Sequence, residues 1–296
     1  MSTTGLDIRE ATIEDQSAIN ELCETIWPDR GPDYLPRIYS TWIQGTHKKT
    51  LVAEKNGECH GIAQCVLLTE TEAWCQGLRV HPDARGEGIA QRLLAALFSW
   101  ARQSGATVAR SMVFSWNGPG MGIAQAAGFD PVTSFRWAYP PVTADRSVPV
   151  FDGFGDIAWE VWSESEARSW LSGLALSTQE TWALEYYTPE RIRQLGTEDR
   201  TYAVVDGNER AATVRGQQYE EASEDTEEIG QEYLFATWSD PSMIADLFAV
   251  IGADAATQGA DQARVLLPEL PTCVAAVAKE KIPIDESPHY IFCTEL

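Results

Sequence analysis

A run of small residues, Arg85-Gly86-Glu87-Gly88-Ile89-Ala90, follows a strand pattern and opens a helical pattern. The first N–H groups of a helix have no partner within the helix, and the helix dipole adds partial positive charge there. Small side chains at Gly86, Gly88 and Ala90 let a phosphate group approach these N–H groups, and Arg85 adds charge. The run therefore predicts a site for an anionic, phosphate-bearing ligand.

The elements around this run are predicted from hydrophobic periodicity. One helical pattern begins at Thr12, and a second covers residues 34–44. Strand patterns over 50–54, 61–69 and 73–80 predict an antiparallel meander. From Gly88 the period becomes helical up to a stop at Gly105. A strand over 106–115, a short helix over 120–127 and a strand over 129–139 follow. The run thus lies between the meander and a long helix.

The segment from Gly77 to Leu94 resembles the acyl-CoA-binding motif of the GNAT superfamily of N-acyltransferases, R/Q-x-x-G-x-G/A, with Arg85, Gly88 and Ala90 at the matching positions. The resemblance implies a mixed, mostly antiparallel α/β (α+β) sheet flanked by helices, with acetyl-CoA as acyl donor. It implies direct attack of a neutral amine on the thioester in a ternary complex. The implied cofactor-binding residues are Leu78, Val80, Arg85, Gly86, Glu87, Gly88, Ile89, Ala90 and Asn117.

The same resemblance implies a bulge near Leu78-Arg79-Val80, which opens a slot for the pantetheine arm. This sequence departs from the family pattern at Ala124, where many members have a tyrosine that protonates the leaving thiolate. An ordinary thiol has a pKa of about 8.5, so turnover without that acid remains feasible.

A base must take a proton from the attacking amine, because a free amine is mostly protonated at neutral pH. The candidate catalytic residues are Glu72, Gln76, His81 and Asp33 as bases, and Tyr34, Ser115 and Trp116 as weaker substitutes for the acid. No single base is selected by the sequence.

Two segments, Asp33-Tyr34-Leu35-Pro36 with Trp42 and Gly77-Leu78-Arg79-Val80, resemble the subgroup that includes vertebrate histidine N-acetyltransferase. The resemblance implies an amino acid or similar small amine as acceptor. A protein lysine or N-terminal acetyltransferase and a non-catalytic acyl-CoA-binding regulatory module are the alternatives.

A turn-rich stretch over residues 140–155 predicts a boundary between domains 1–145 and 146–296. The second half repeats the order of elements, with a strand over 157–162 and a helix over 166–174 at its start, which indicates two tandem GNAT-like domains. Its counterpart of the phosphate-binding run, residues 238–243, lacks glycines and contains Asp240, so we expect no CoA there.

The formal net charge of -22 arises from 44 acidic and 22 basic residues. Such a charge repels nucleic acid and anionic membranes and is typical of a halophilic source. The six cysteines have no zinc-site spacing, so we expect reduced thiols and no metal. With no apolar signal core near the first residues, we expect a cytoplasmic protein. We further expect a monomer or homodimer that acts on a small-molecule amine.

Overall fold

The computed structural model describes residues 5–27, 32–144, 151–180, 182–222 and 227–296. The described chain divides into two compact units. The first contains residues 5–113, 117–131 and 292–296 apart from the gap at 28–31, and the second contains residues 114–116 and 132–291 with the remaining gaps. The predicted boundary at 145/146 falls among residues 145–150, which lie outside the described residues.

The first unit is built on a sheet in the order β1-β2-β3-β4-β5. Its strands are β1 (Leu6–Glu10), β2 (Lys48–Lys55), β3 (Glu58–Leu67), β4 (Glu72–Val80) and β5 (Val108–Phe114). Neighbouring strands are antiparallel from β1 to β4, whereas β4 and β5 are parallel. The predicted meander is confirmed, and the helix between β4 and β5 makes the parallel crossover.

Among the described residues, four helices accompany this sheet: α1 (Gln16–Ile26), α2 (Leu35–Trp42), α3 (Ile89–Gln103) and α4 (Gly118–Ala126). The apolar side chains of α1 and α2 share one core cluster, in which Ile19, Tyr39 and Trp42 are buried. Helix α3 buries residues at helical spacing, including Ile89, Leu93 and Leu97. The predicted helices of the first half are confirmed.

The second unit has a sheet in the order β6-β12-β11-β10-β9 and a separate β7-β8 hairpin. Its strands are β6 (Asp130–Ala138), β7 (Leu174–Leu176), β8 (Leu184–Tyr186), β9 (Thr201–Asp206), β10 (Glu209–Ala222), β11 (Glu227–Trp238) and β12 (Gln262–Pro268), and β13 (His289–Glu295) ends the chain. Its helices are α5 (Asp156–Glu164), α6 (Glu166–Trp170), α7 (Pro189–Thr197), α8 (Ile244–Thr257) and α9 (Pro271–Lys279).

The succession β9-β10-β11-α8-β12 has the same pairing pattern as β2-β3-β4-α3-β5. In both, the first three strands are antiparallel neighbours, and a helix then connects the third strand to a parallel fourth. The two parallel pairs, β4–β5 and β11–β12, are each limited to a few residues.

The strand predicted over residues 157–162 is wrong, because this segment lies in helix α5. The alternation of Ile157, Trp159 and Val161 imitates a strand. In the helix the buried residues are Ala158, Val161 and Trp162, which share one face at spacings of three and four. The helix predicted over 166–174 ends at Trp170, and Leu174 begins β7.

The six cysteines are free thiols. No helix in the described ranges is both long and apolar enough to span a membrane.

Candidate functional site

The turn before α3 requires glycine and is open on its outer side. A 3-10 turn, Pro82–Ala84, follows β4, and Gly86 and Gly88 then have φ values of +85° and +78°. These left-handed conformations are strained for any residue with a Cβ atom. A Cβ atom added at either glycine would meet no atom within 4 Å. The turn therefore has room for a group that approaches its backbone.

The start of α3 presents its N–H groups to this open space. Gly88 is the residue before the first helical turn, and the side chains of Ile89 and Ala90 are buried in the core. The first-turn N–H groups have no acceptor within the helix. The arrangement fits a diphosphate, which is held by backbone N–H groups and by the positive end of the helix dipole.

The charges around the turn favour an anion. Arg85 is exposed, and the carboxylate of Glu87 accepts a hydrogen bond from Lys55 Nζ at 2.7 Å. That bond with Lys55 lowers the pKa of Glu87. The negative charge of Glu87 is therefore offset by an adjacent cation, while Arg85 adds positive charge to the turn.

Strand β4 contains a bulge at Gly77 and Leu78, one residue earlier than the predicted position over 78–80. Gln76 pairs with Gln64 and Arg79 with Ile62, so two residues of β4 lie opposite one residue of β3. The bulge falls at Gly77 because its φ of +64° suits glycine. A Cβ atom there would lie 1.8 Å from Trp42 Cη2, so the buried indole of Trp42 packs directly against the bulge.

Strands β4 and β5 separate beyond their first residues. Their parallel pairing joins Glu72–Trp74 to Val108–Arg110 and does not continue toward Val80 among the described residues. The separated ends fit the slot that the family resemblance implies for a pantetheine arm. Leu78 and Val80, the predicted backbone contacts, lie on the separated part of β4.

Glu72 lies at the closed end of this slot. Arg110 Nη1 donates a hydrogen bond to Glu72 Oε1 at 2.6 Å, and about a tenth of each side chain is exposed. As a general base, Glu72 would have to act while it is hydrogen-bonded to the Arg110 guanidinium.

Gln76 lies at the bulge and is oriented by a chain of hydrogen bonds that sequence reasoning missed. Gln64, fully buried, donates from Nε2 to the Trp42 carbonyl at 2.9 Å and to Thr50 Oγ1 at 2.9 Å. Because a carbonyl only accepts, Gln64 must direct Oε1 away from it. Gln76 Nε2 donates to that Oε1 at 2.7 Å, which turns Gln76 Oε1 away from Gln64.

Asp33 and Arg79 bring together the two segments on which the subgroup resemblance rests. Arg79 donates from Nε and Nη2 to the two carboxylate oxygens of Asp33 at 3.0 and 2.9 Å, and both side chains are almost fully buried. The Arg79 guanidinium also lies about 5 Å from the ring centres of Trp27 and Tyr34. Asp33 is therefore half of a buried ion pair, and Tyr34 packs against the other half.

The other predicted residues have local structural roles. His81 Nδ1 accepts a hydrogen bond from Asp83 N at 3.3 Å, at the start of the turn. Asn117 Oδ1 caps α4 by accepting from Gly120 N at 3.0 Å. Ala124 is buried within α4, and no tyrosine replaces it on that helix. Ser115 and Trp116 belong to the second unit.

Comparison with known proteins identifies the protein family. The model of the acetyltransferase (GNAT) family matches residues 17–129, which include the whole turn and the bulge. Aminoglycoside N(6')-acetyltransferase type 1 of Stenotrophomonas maltophilia is 30% identical over 106 residues, which cover 33% of this chain and 69% of that protein. The chain belongs to the GNAT family of acetyltransferases.

The relatives named for histidine match this chain over a smaller share of their own length. Histidine N-acetyltransferase of Oreochromis niloticus is 35% identical over 95 residues, which cover 32% of this chain and only 28% of that protein. A solved structure described as a "putative acetyltransferase" from Thermoplasma acidophilum has a TM-score of 0.57 at 16% identity, covering 98% of this chain and 100% of that one. At this identity the likeness shows the fold alone, along the whole chain.

Proposed function

We propose that the chain transfers an acetyl group from acetyl-CoA to the primary amine of a small molecule, with an amino acid as the leading acceptor. One observation carries the proposal: the glycine turn before α3 is open to a diphosphate, and it leads from a bulged strand that separates from its parallel neighbour. The turn would hold the diphosphate, and the separated strands would admit the pantetheine arm.

The transfer is direct. The neutral amine nitrogen attacks the thioester carbonyl, the carbon–sulfur bond breaks, the amine loses one proton, and the CoA thiolate takes up a proton. Proximity and orientation within the ternary complex supply much of the rate. With Ala124 buried in α4, the thiolate leaves without a tyrosine on that helix, which its moderate basicity permits.

Gln76 is assigned a positioning role toward the amine. An amide side chain does not accept a proton at neutral pH, but its oxygen accepts a hydrogen bond. The chain from the Trp42 carbonyl through Gln64 fixes which end of Gln76 is the donor. Glu72 and His81 remain the candidate bases, with the proton passing through water.

The small acceptor is favoured by the relatives. Two of the relatives, histidine N-acetyltransferase and aminoglycoside N(6')-acetyltransferase, are named for small-molecule amines. We extend this class to the present chain as part of the proposal. Since acetyl-CoA is an intracellular metabolite, we also propose a cytoplasmic location.

The second unit is proposed to be a duplicated copy that has lost CoA binding. Its pairing pattern repeats that of the first unit, but the segment before α8 carries Asp240 in place of the glycine turn. Asp240 Oδ1 accepts a hydrogen bond from Ser242 N at 2.8 Å, so a carboxylate occupies a donor that a phosphate would need. We place the domains at about 1–145 and 146–296, and expect a monomer or homodimer.

The test is release of the CoA thiol from acetyl-CoA in molar potassium chloride, across free amino acids, polyamines, aminoglycosides and lysine peptides. We expect release with a free amino acid or another small amine. Release with peptides alone would replace the proposal by a protein acetyltransferase. Binding of acetyl-CoA without release on any acceptor would favour a regulatory module.

A further inference from the structure

Two large apolar side chains on one face of α2 are exposed to solvent. Among the described residues of the first unit, the exposed large apolar side chains are Ile13, Tyr34 and Ile38. Tyr34 precedes α2 with a helical backbone and lies four residues before Ile38, so the two side chains are neighbours on the helix surface. Their exposed fractions are 41% and 37%. A single exposed apolar residue needs no explanation, whereas adjacent ones indicate a binding surface.

The same row of α2 leads to the bulge of β4. Trp42 follows Ile38 by four residues, about 6 Å along the helix, and it is buried against Gly77. The ring centre of Trp42 lies 6.5 Å from that of Tyr34. The Trp42 carbonyl also begins the hydrogen-bond chain that orients Gln76. The exposed pair therefore adjoins the place that the proposed reaction gives to the attacking amine.

The Tyr34 ring is held in place although it is exposed. Trp42 meets it edge-on, with the two ring planes at 62°, and the Arg79 guanidinium lies 5.0 Å from its centre. Arg79 is itself fixed by two hydrogen bonds to Asp33. Because the ring is already ordered, a ligand that packs on it causes little further loss of side-chain entropy. The exposed surface of Tyr34 is preorganised for contact with an apolar group.

The charges next to this surface do not favour a cation. The Asp33 carboxylate is neutralised by Arg79, and both side chains are almost fully buried. The Arg79 guanidinium already interacts with the π electrons of Tyr34. A second cation on the same ring would be repelled by that guanidinium. An uncharged group packs on the ring without this repulsion.

We infer that Tyr34 and Ile38 select an acceptor whose side group is uncharged and either aromatic or bulky aliphatic, such as L-phenylalanine. This inference rests on the proposed transfer reaction and names the class of amine that the reaction takes. The amine would lie near Gln76, and the side group would cover Tyr34 and Ile38. Removing the apolar surfaces of both partners from water would stabilise the complex.

L-Phenylalanine and L-alanine are the matched acceptors, because they differ by one phenyl group. Release of the CoA thiol from acetyl-CoA would give kcat/KM for each of them and for L-lysine, which carries a cationic side group. We expect kcat/KM for phenylalanine to exceed the values for alanine and lysine by about tenfold or more. Equal values for phenylalanine and alanine, or the highest value for lysine, would overturn the inference and leave the transfer reaction in place.

Ile38→Glu places a carboxylate on this surface and leaves the ion pair of Asp33 and Arg79 intact. It should lower the phenylalanine-to-alanine ratio of kcat/KM about tenfold. Tyr34→Leu, which keeps apolar volume but removes the ring, should lower that ratio about threefold. Ile13→Glu changes an exposed isoleucine outside α2 and is the matched control, with an unchanged ratio. The same ratio in the wild type and in Ile38→Glu would contradict the assigned surface.

Calorimetry separates this inference from the transfer reaction. Phenylalanine and alanine would be titrated into the full chain with CoA in place of acetyl-CoA, so that no acetyl group is available for transfer. Tighter binding of phenylalanine than of alanine, lost in Ile38→Glu, would support the apolar surface even if no acceptor released the thiol, a result that would refute the transfer reaction alone. Equal binding of the two amino acids would refute the surface.

Discussion

Replacing Gly77 by alanine should destabilise the first unit through two separable effects. The φ of +64° imposes a cost of about 1–2 kcal/mol on any residue with a Cβ atom. That Cβ atom would also lie 1.8 Å from Trp42 Cη2, and the indole is buried with 2% exposure, so it cannot simply swing into solvent. Overpacking of this kind costs about 1–3 kcal/mol more. The total is about 2–5 kcal/mol.

Gly86→Ala is the matched control, since its φ is +85° and its added Cβ atom meets nothing within 4 Å. It should cost only the backbone strain, about 1–2 kcal/mol. Urea unfolding followed by circular dichroism would give the free energy of unfolding of the two variants and of the wild type. In a Trp42→Leu background, Gly77→Ala should lose most of its additional cost. If Gly77→Ala and Gly86→Ala cost the same in both backgrounds, the packing of Trp42 on the bulge is not what the structure indicates.

Three further outcomes are expected. Gln64→Leu should lower kcat/KM for the amine about tenfold and leave the KM for acetyl-CoA unchanged, because Gln76 loses its fixed orientation. The control Thr50→Val should cost similar stability with little change in kcat/KM. Equal losses of kcat/KM in the two variants would contradict the role of Gln64. Asp33→Ala should cost about 3–5 kcal/mol in urea unfolding because it leaves Arg79 buried and unpaired. Glu54→Ala, at the partly exposed pair with Arg9, should cost less than about 1 kcal/mol, and equal costs would refute the burial argument. Raising potassium chloride from 0.1 to 2 M, which screens the net charge of -22, should raise the melting temperature by about 4 °C or more, and an unchanged melting temperature would speak against salt adaptation.

The elements around the turn could be predicted because each carries a local signal. The meander, α3 and the glycines at 86 and 88 follow from periodicity and from the conformations that only glycine adopts easily. The mistaken strand over 157–162 shows the limit of that signal. Over six residues, alternating Ile157, Trp159 and Val161 suited a strand, while the side chains that became buried follow a helical spacing.

The contacts that organise the site are long-range and left no local pattern. Asp33 and Arg79 are 46 residues apart, and Gln64 reaches both Trp42 and Gln76 across neighbouring elements. Sequence reasoning selected Asp33 and Gln76 as residue types able to act on a proton. It could not show that Asp33 is neutralised by Arg79 or that Gln76 is oriented by Gln64, because both depend on how the strands and helices pack.

The location of the CoA site is tested most directly by titrating acetyl-CoA into the wild type and three variants by calorimetry. Gly88→Glu places a carboxylate at the open turn, and Arg85→Glu reverses an exposed charge there without demanding a left-handed backbone. Both should weaken acetyl-CoA binding about tenfold or more, a loss of about 1.4 kcal/mol, while Asp240→Asn in the second unit should leave it unchanged. Unchanged affinity in both turn variants, or a clear loss in Asp240→Asn, would contradict the assignment.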